Sequence, residues 1–271
     1  MLAIRPAAVA GTFYPGDPAA LSAQVAAYLA ASAPRQPLAR PPKAIIAPHA
    51  GYIYSGAVAA SIYARLAPLR GVVERVVLAG PAHRVPVKGV ALPAAQAFAS
   101  PLGRVALDEP ALDQLRALDF VETSERAHAL EHSLEVHLPF LQSLLGSFRL
   151  VPLLVGEASR EEVARLFEFL WGGAETLIVV SSDLSHYLPY EEARALDRHT
   201  ARAIVGLEAR LNPEEACGAA PINGFLEVAR RRGLAAELVD LRNSGDSAGE
   251  RDRVVGYGAF AFHEPESRTR G

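Results

Sequence analysis

The sequence predicts a single α/β domain in which helices cover both faces of a mostly parallel central sheet. Short runs rich in Val, Ile and Leu alternate along the chain with longer amphipathic stretches. Several of these runs are apolar at nearly every position, as strands buried on both faces are. The chain has 271 residues and neither an internal repeat nor a low-complexity linker, so we assign residues 1–271 to one domain.

The elements are predicted in alternating order. The predicted strands are Lys43–Pro48, Arg75–Gly80, Gly89–Leu92, Phe148–Val155, Thr176–Ser181, Glu237–Leu241 and Val254–Phe262. The predicted helices are Pro18–Ala31, Gly56–Leu66, Pro110–Leu118, Leu130–Leu145, Arg160–Leu170, Tyr190–Val205 and Ile222–Arg232. The Pro-rich segment Ala33–Pro42 is the best linker candidate, but it lies too near the start to separate a domain. The polar tail Glu264–Gly271 is expected to be frayed.

Composition excludes several classes of protein. Apolar residues make up 50% of the chain, which excludes a disordered protein. The net charge of −3 provides no basic field for nucleic acid. No stretch reaches the ~18 apolar residues that span a bilayer. The single cysteine cannot form a disulfide within the chain and the first residues lack the apolar core of a secretory signal, so we expect a cytoplasmic protein.

Three predicted strands end in residues that can bind metals. His49 follows Lys43–Pro48, His83 follows Arg75–Gly80, and Asp183 follows Thr176–Ser181 with His186 three residues later. Ligands of open α/β sheets bind at the carboxyl ends of the strands, so these side chains should meet in one cleft. A single His at a strand end is usually a loop residue, but the coincidence of three favours a metal site. Two His and one carboxylate form the ligand set of non-haem Fe(II) oxygenases.

A second cluster of polar residues begins at Glu131. His132 and His137 are five residues apart in the predicted helix Leu130–Leu145, which rotates them roughly 140° apart, so they cannot share a metal. One face of this helix could carry His132 toward the site as a proton shuttle. The alternative is a solvated helix start with Glu131 near its positive end.

Two further segments have more than one interpretation. Cys217 is either a small buried apolar residue or a ligand, and its spacing does not decide between them. Asn243 and Ser244 follow the predicted strand Glu237–Leu241, so they either line the cleft or form an ordinary turn.

Several motifs together resemble the Memo (mediator of cell motility) family, whose prokaryotic members are often called AmmeMemoRadiSam system protein B. They run in order from residue 11 to about residue 257, and so cover nearly the whole chain. The motifs are Gly11-Thr12-Phe13-Tyr14-Pro15, Pro48-His49-Ala50-Gly51-Tyr52 with Tyr54-Ser55-Gly56, Gly80-Pro81-Ala82-His83, Glu131-His132-Ser133-Leu134-Glu135-Val136-His137-Leu138-Pro139 and Ser181-Ser182-Asp183-Leu184-Ser185-His186.

The resemblance implies a fold related to the class III extradiol ring-cleaving dioxygenases. It also implies a metal site of two His and one Cys, which match His49, His83 and Cys217. Asp183 and His186 would then orient the ligands or move protons. This chain has Ala82 before His83, where the family often has Ser, and it keeps the family's Gly and Pro after the cysteine.

Three functions are compatible with these residues. The first is a redox enzyme with Fe(II) or Cu, in which His186 or His132 handles protons. Zn is also possible at this site, but it has no redox chemistry and would suit the third function. The second is an accessory module that binds a metal, a peptide or a small molecule beside a radical SAM protein, with Tyr14, Tyr52 and Tyr54 lining the pocket. The third is a metal-dependent hydrolase with Asp183 as the base.

Overall fold

The fold is seen in a computed structural model, which describes residues 3–33 and 40–265. The strands in this part of the chain are β1 (Ile4–Arg5), β2 (Ala44–Ala47), β3 (Arg75–Pro81), β4 (Val90–Leu92), β5 (Ala97–Ser100), β6 (Gly103–Ala106), β7 (Val121–Thr123), β8 (Arg149–Val155), β9 (Thr176–Ser181), β10 (His186–Leu188), β11 (Ala235–Asn243) and β12 (Val254–His263). The α-helices are α1 (Pro18–Ala31), α2 (Tyr52–Tyr63), α3 (Glu109–Leu115), α4 (Glu125–Ala129), α5 (Leu138–Leu145), α6 (Arg160–Leu170), α7 (Tyr190–Val205) and α8 (Ala219–Arg231).

Nine strands form the main sheet, in the order β10-β12-β2-β9-β3-β8-β4-β7, with β11 paired to β12. The central strands β2, β9, β3 and β8 run parallel. β12 is antiparallel to β2, β10 and β11, and β4 is antiparallel to β8. The α/β class is confirmed, and the sheet is mixed outside its parallel centre. β11 and β12 are joined by a short connection, and such a connection makes neighbouring strands antiparallel.

Helices pack on this sheet in two groups. α8 contacts β3, β9 and α6, whereas α2 contacts β2 and β12 and meets α1 and α5. The crossing of α6 and α8 is close at Gly224, where a Cβ atom would lie 2.4 Å from Cβ of Val163. Only glycine permits that approach, so the sequence fixes the spacing of this helix pair.

The predicted strands are all present in the described residues, with ends shifted by at most two residues. The strands that the sequence did not reveal, β1, β5, β6, β7 and β10, have only two to four residues each. Such segments are too short to show a clear period in the sequence.

One predicted helix is corrected. The helix Leu130–Leu145 starts only at Leu138, after a short 3₁₀ turn at Glu135–His137. The carboxylate of Glu131 accepts hydrogen bonds from the backbone N–H groups of His132 and Ser133, which holds a turn there instead of a helix. The prediction that His132 and His137 lie on one helix is therefore wrong.

Two predictions concern segments at the margins of the described residues. Most of the linker candidate Ala33–Pro42 and most of the tail Glu264–Gly271 lie outside them.

Among residues 3–33 and 40–265, no helix has the length and apolar character needed to cross a membrane.

The parallel centre brings three strand ends to the same level. Ala47 at the end of β2 is paired with Ser181 at the end of β9, and β3 runs parallel to β9 on its other side. The loops that follow these strands, with His49, His83 and Asp183, therefore leave the sheet at one edge. This edge is where α/β sheets bind their ligands.

Candidate metal centre

His49 is held by the hydroxyl group of Ser181. Nδ1 of His49 lies 2.6 Å from Oγ of Ser181, which donates its single proton to the carbonyl of Ser133. The hydroxyl oxygen therefore accepts from Nδ1–H of His49, and also from Nε2–H of His137 at 2.8 Å. This network assigns the tautomer of His49 and leaves the lone pair on its Nε2 atom. Burial lowers the pKa of His49 well below its usual value, so the ring is neutral.

His83 is oriented by a buried carboxylate. Oε1 of Glu131 lies 3.0 Å from Nδ1 of His83, and Oε2 accepts the backbone N–H of His83 at 2.6 Å. Burial alone would raise the pKa of Glu131, but the hydrogen bonds from His83 and Ser133 lower it to about 2. The carboxylate is therefore charged and fixes the donor at Nδ1, so Nε2 of His83 is free to bind a metal.

His132 completes a group of three imidazoles. The ring centroids of His49, His83 and His132 lie 4.9–5.4 Å apart. One nitrogen from each ring lies within 4.8 Å of the others, so the three residues could hold a metal ion. Burial lowers the pKa of His132 to about 4, against the opposing effect of Glu131. Nδ1 of His132 is buried and lies 3.2 Å from Oε1 of Glu131, but without the geometry of a hydrogen bond in the described residues. A buried nitrogen without a hydrogen bond is costly, and a bound cation would satisfy it.

Cys217 lies beside this group. Its Sγ atom is 3.4 Å from Nε2 of His49. Burial, followed by the nearby carboxylate of Asp183, raises the pKa of the thiol to about 12. Gly218 sets the position, because a Cβ atom there would lie 2.6 Å from the carbonyl oxygen of Ser181. The sulfur thus forms part of the same surface as the imidazoles.

Asp183 and His186 occupy different positions around the cluster. Oδ1 of Asp183 accepts the backbone N–H of His49 at 2.7 Å, and Oδ2 lies 4.0 Å from Nε2 of the same residue. Burial raises the pKa of Asp183 to about 7, although the hydrogen bond from His49 opposes the shift. His186 is half-buried, and burial lowers its pKa. It is followed by Tyr187, whose positive φ of 60° marks strained backbone at an irregularity within β10.

A cleft of about 550 Å³ opens in front of the cluster. It is lined by His83, His186, Leu188, Leu196, Pro213, Glu214 and Cys217. Its volume is typical of sites that take small organic molecules. The structure therefore brings His83, His186 and Cys217 to one cavity, with His49, His132 and Asp183 next to them.

Other residues predicted to line the cleft lie elsewhere. Tyr14 and Tyr52 are buried and donate their hydroxyl protons to Glu135 and to the carbonyl of Val136. Tyr54 is partly exposed, and its carbonyl accepts from Ser247.

Asn243, at the end of β11, and Ser244, which follows it, also lie outside the cleft. Asn243 lines a separate, smaller pocket, and Oγ of Ser244 accepts the backbone N–H of Val255. The side chain of Glu131 supports the cluster from behind, and the two buried tyrosines hold the segment at Glu135 and Val136, so none of them lines the cleft.

The sequence did not single out the residues that hold the N-terminal segment against the site. Arg5 donates to Glu135 at 2.7 Å and to the carbonyls of His128 and Glu131. Glu135 in turn accepts from the backbone of Ala8 and Val9. The ring of Phe13 lies 4.9 Å from that of His132. The sequence feature that could have identified Arg5 is its charge, which lies within an otherwise apolar segment.

The comparisons with known proteins agree on one family. The family described as "Memo-like protein" matches residues 5–261. A "MEMO1 family protein" of Aquifex aeolicus is 37% identical over 96% of this chain and 99% of its own. Relatives of the same description are 36% identical in Ignicoccus hospitalis, over 97% of this chain and 99% of that protein, and 34% identical in Archaeoglobus fulgidus, over 94% and 97%.

Proposed function

The chain belongs to the Memo family, and from this premise we propose that it binds a redox-active metal ion, iron or copper, and oxidises an organic molecule in the adjoining cleft. The observation that carries the proposal is that one ring nitrogen from each of His49, His83 and His132 lies within 4.8 Å of the others, while His83 also lines that cleft. Imidazole is a common ligand of both metals.

The cluster is prepared for a cation before one binds. The hydrogen bonds of Ser181 and Glu131 direct the Nδ1 protons of His49 and His83 away from the cleft. Metals bind only to unprotonated imidazole nitrogens, so this arrangement avoids the cost of turning or deprotonating the rings. Glu131 also supplies negative charge behind the site, which favours a cation.

We propose His49, His83 and Cys217 as the ligands, as the family resemblance implies, with His132 as a further nitrogen beside them. The contact between Cys217 and His49 supports this set. A sulfur donor together with imidazoles favours copper, iron or zinc over magnesium or calcium. The proximity of His132 supports a competing set in which it replaces Cys217.

A redox-active ion at this position would exchange electrons with dioxygen and with a molecule held in the cleft. The protein itself would manage protons. Asp183, whose pKa is about 7, can hold or release a proton 4.0 Å from Nε2 of His49. His186 faces the cleft as a neutral imidazole and can accept a proton there.

The test is metal content together with oxygen uptake. Protein purified without chelators is analysed for bound metals, reloaded anaerobically with Fe(II) or Cu(I), and assayed for oxygen consumption. One equivalent of iron or copper with oxygen uptake supports the proposal. His49→Ala should lose the metal, and His199→Ala, an exposed histidine outside the cluster, should keep it.

Two other outcomes would contradict the proposal. Stoichiometric zinc without oxygen uptake would favour a hydrolase in which Asp183 activates water. Intact protein that binds none of these metals would favour an accessory module that binds a peptide or small molecule. We also propose a functional link to a radical SAM protein, which co-purification tests. We further propose a cytoplasmic location, which cell fractionation tests.

A further inference from the structure

The walls of the cleft are mainly apolar. Leu188 on β10, Leu196 on α7 and Pro213 in the loop before α8 face it, together with the thiol of Cys217. Leu188 and Leu196 are only half-buried, so part of their apolar surface is available to a ligand. A ligand that covers this surface is stabilised because apolar area is removed from water. The cleft therefore favours a molecule with an apolar body.

The charge at the rim is negative. Glu214 is the charged side chain among the described lining residues, and it is exposed without an ion-pair partner in that part of the chain. The carboxylates of Glu131 and Asp183 lie behind the cluster. The cation of Arg84 lowers the pKa of His132, but Arg84 does not line the cleft.

From these two features we propose that the cleft selects a neutral or cationic organic molecule with an apolar body, and that Glu214 disfavours anions. This inference extends the proposed function to the class of ligand. It depends on the proposed function only in one respect, namely that the ligand lies beside the metal site. Electrostatic selection of this kind acts through the charge of the wall facing the ligand, without a direct contact.

Three probes that share one apolar body test the proposal: phenylpropylamine, phenylpropanol and phenylpropanoate. Their dissociation constants are measured by titration calorimetry, with metal-free and metal-loaded protein. In the metal-free protein the amine and the alcohol should bind more tightly than the acid, whereas a bound metal ion would itself attract the carboxylate of the acid. In Glu214→Lys, the ratio of amine to acid affinity should fall by about tenfold or more, because both ligands experience a reversed charge.

Glu122→Lys is the matched control. It makes the same change of charge on β7, at the far edge of the sheet, and should leave the ratio unchanged. Leu196→Ala should weaken the binding of all three probes by a similar factor, because it removes part of the apolar wall.

The outcomes separate this inference from the proposed function. In the metal-free protein, the inference is overturned if the acid binds as tightly as the amine, or if no probe binds at millimolar concentration. If the protein takes up no metal but still binds the amine and the alcohol more tightly than the acid, the inference is supported and the proposed function is contradicted. If the ratio of amine to acid affinity changes equally in Glu214→Lys and Glu122→Lys, Glu214 does not determine which ligands bind.

Discussion

Sγ of Cys217 lies 3.4 Å from Nε2 of His49, although 168 residues separate the two along the chain. The group whose ligand atoms all lie within 4.8 Å of one another consists of His49, His83 and His132. Cys217 is not part of that group, although its sulfur contacts His49. Two ligand sets therefore share His49 and His83 and differ in the third member.

A spectroscopic comparison of two variants decides between these sets. We expect Co(II) bound to the wild-type protein to show a strong near-ultraviolet band from thiolate ligation. Cys217→Ser should lose that band and bind the metal more weakly, whereas His132→Ala should keep it. The reverse result, with the band absent in the wild type and binding abolished only in His132→Ala, would assign the site to three imidazoles.

The pH dependence of metal binding gives an independent test. The pKa of Cys217 is raised to about 12, so a metal that binds the thiolate must displace one proton at pH 7.5–9. Burial keeps His49 and His132 neutral in that range, and they release none. The association constant of the wild type should rise about tenfold per pH unit. In Cys217→Ser the association constant should be nearly independent of pH. If the association constants of the two proteins rise equally with pH, the thiolate of Cys217 is not a ligand.

Ser181 should control metal affinity without binding the metal. Ser181→Ala removes the acceptor for Nδ1–H of His49 and Nε2–H of His137. Loss of such a supporting group weakens metal binding by about 10–100-fold. Ser143→Ala, which removes a hydroxyl bonded to the carbonyl of Pro139, is the control and should leave affinity unchanged. Equal affinities in the two variants would contradict the assigned role.

Asp197 should make stability depend on pH. Burial raises its pKa to about 6, although the hydrogen bond from the backbone of Ser185 opposes the shift. Folding therefore favours the protonated form, and this stabilisation, complete below about pH 4, is lost as the pH rises through 6. Asp197→Asn should stabilise the protein by about 1–3 kcal/mol at pH 8 and by little at pH 4.

Urea denaturation at the two pH values measures this difference. Asp113→Asn on the surface of α3 is the control, and its effect on the free energy of unfolding should stay within about 0.5 kcal/mol at both pH values. A gain for Asp197→Asn that is the same at pH 4 and pH 8 would show that charge is not its cause.

The buried ion pair of Arg5 and Glu135 should be essential for stability. Both side chains are almost fully buried. Arg5→Met leaves the Glu135 carboxylate without its cation and should cost about 3–5 kcal/mol of unfolding free energy. Arg65→Met breaks the partly exposed pair with Glu237 and should cost at most about 1 kcal/mol. Chemical denaturation compares them, and similar losses would refute the role of the buried pair.

The sequence by itself determined the parallel central strands with their ends, and several of the longer helices. The runs before His49, His83 and Asp183 are apolar at nearly every position, and this local pattern identifies buried parallel strands. Because parallel strands share a carboxyl edge, the sequence also indicated that these side chains lie near one another. Tyr190–Val205 and Arg160–Leu170 were found with their correct bounds, since the amphipathic period of both helices and the capping box of the second are local properties.

Only the tertiary structure decided how the site is completed. His132 joins the cluster because Glu131, bonded to His83 across 48 residues, replaces the predicted helix with a turn. Cys217 reaches His49, and Tyr14 turns away to Glu135, through contacts between distant segments. Such contacts depend on the packing of loops against the sheet, and a sequence pattern with a period of two or 3.6 residues carries no information about them.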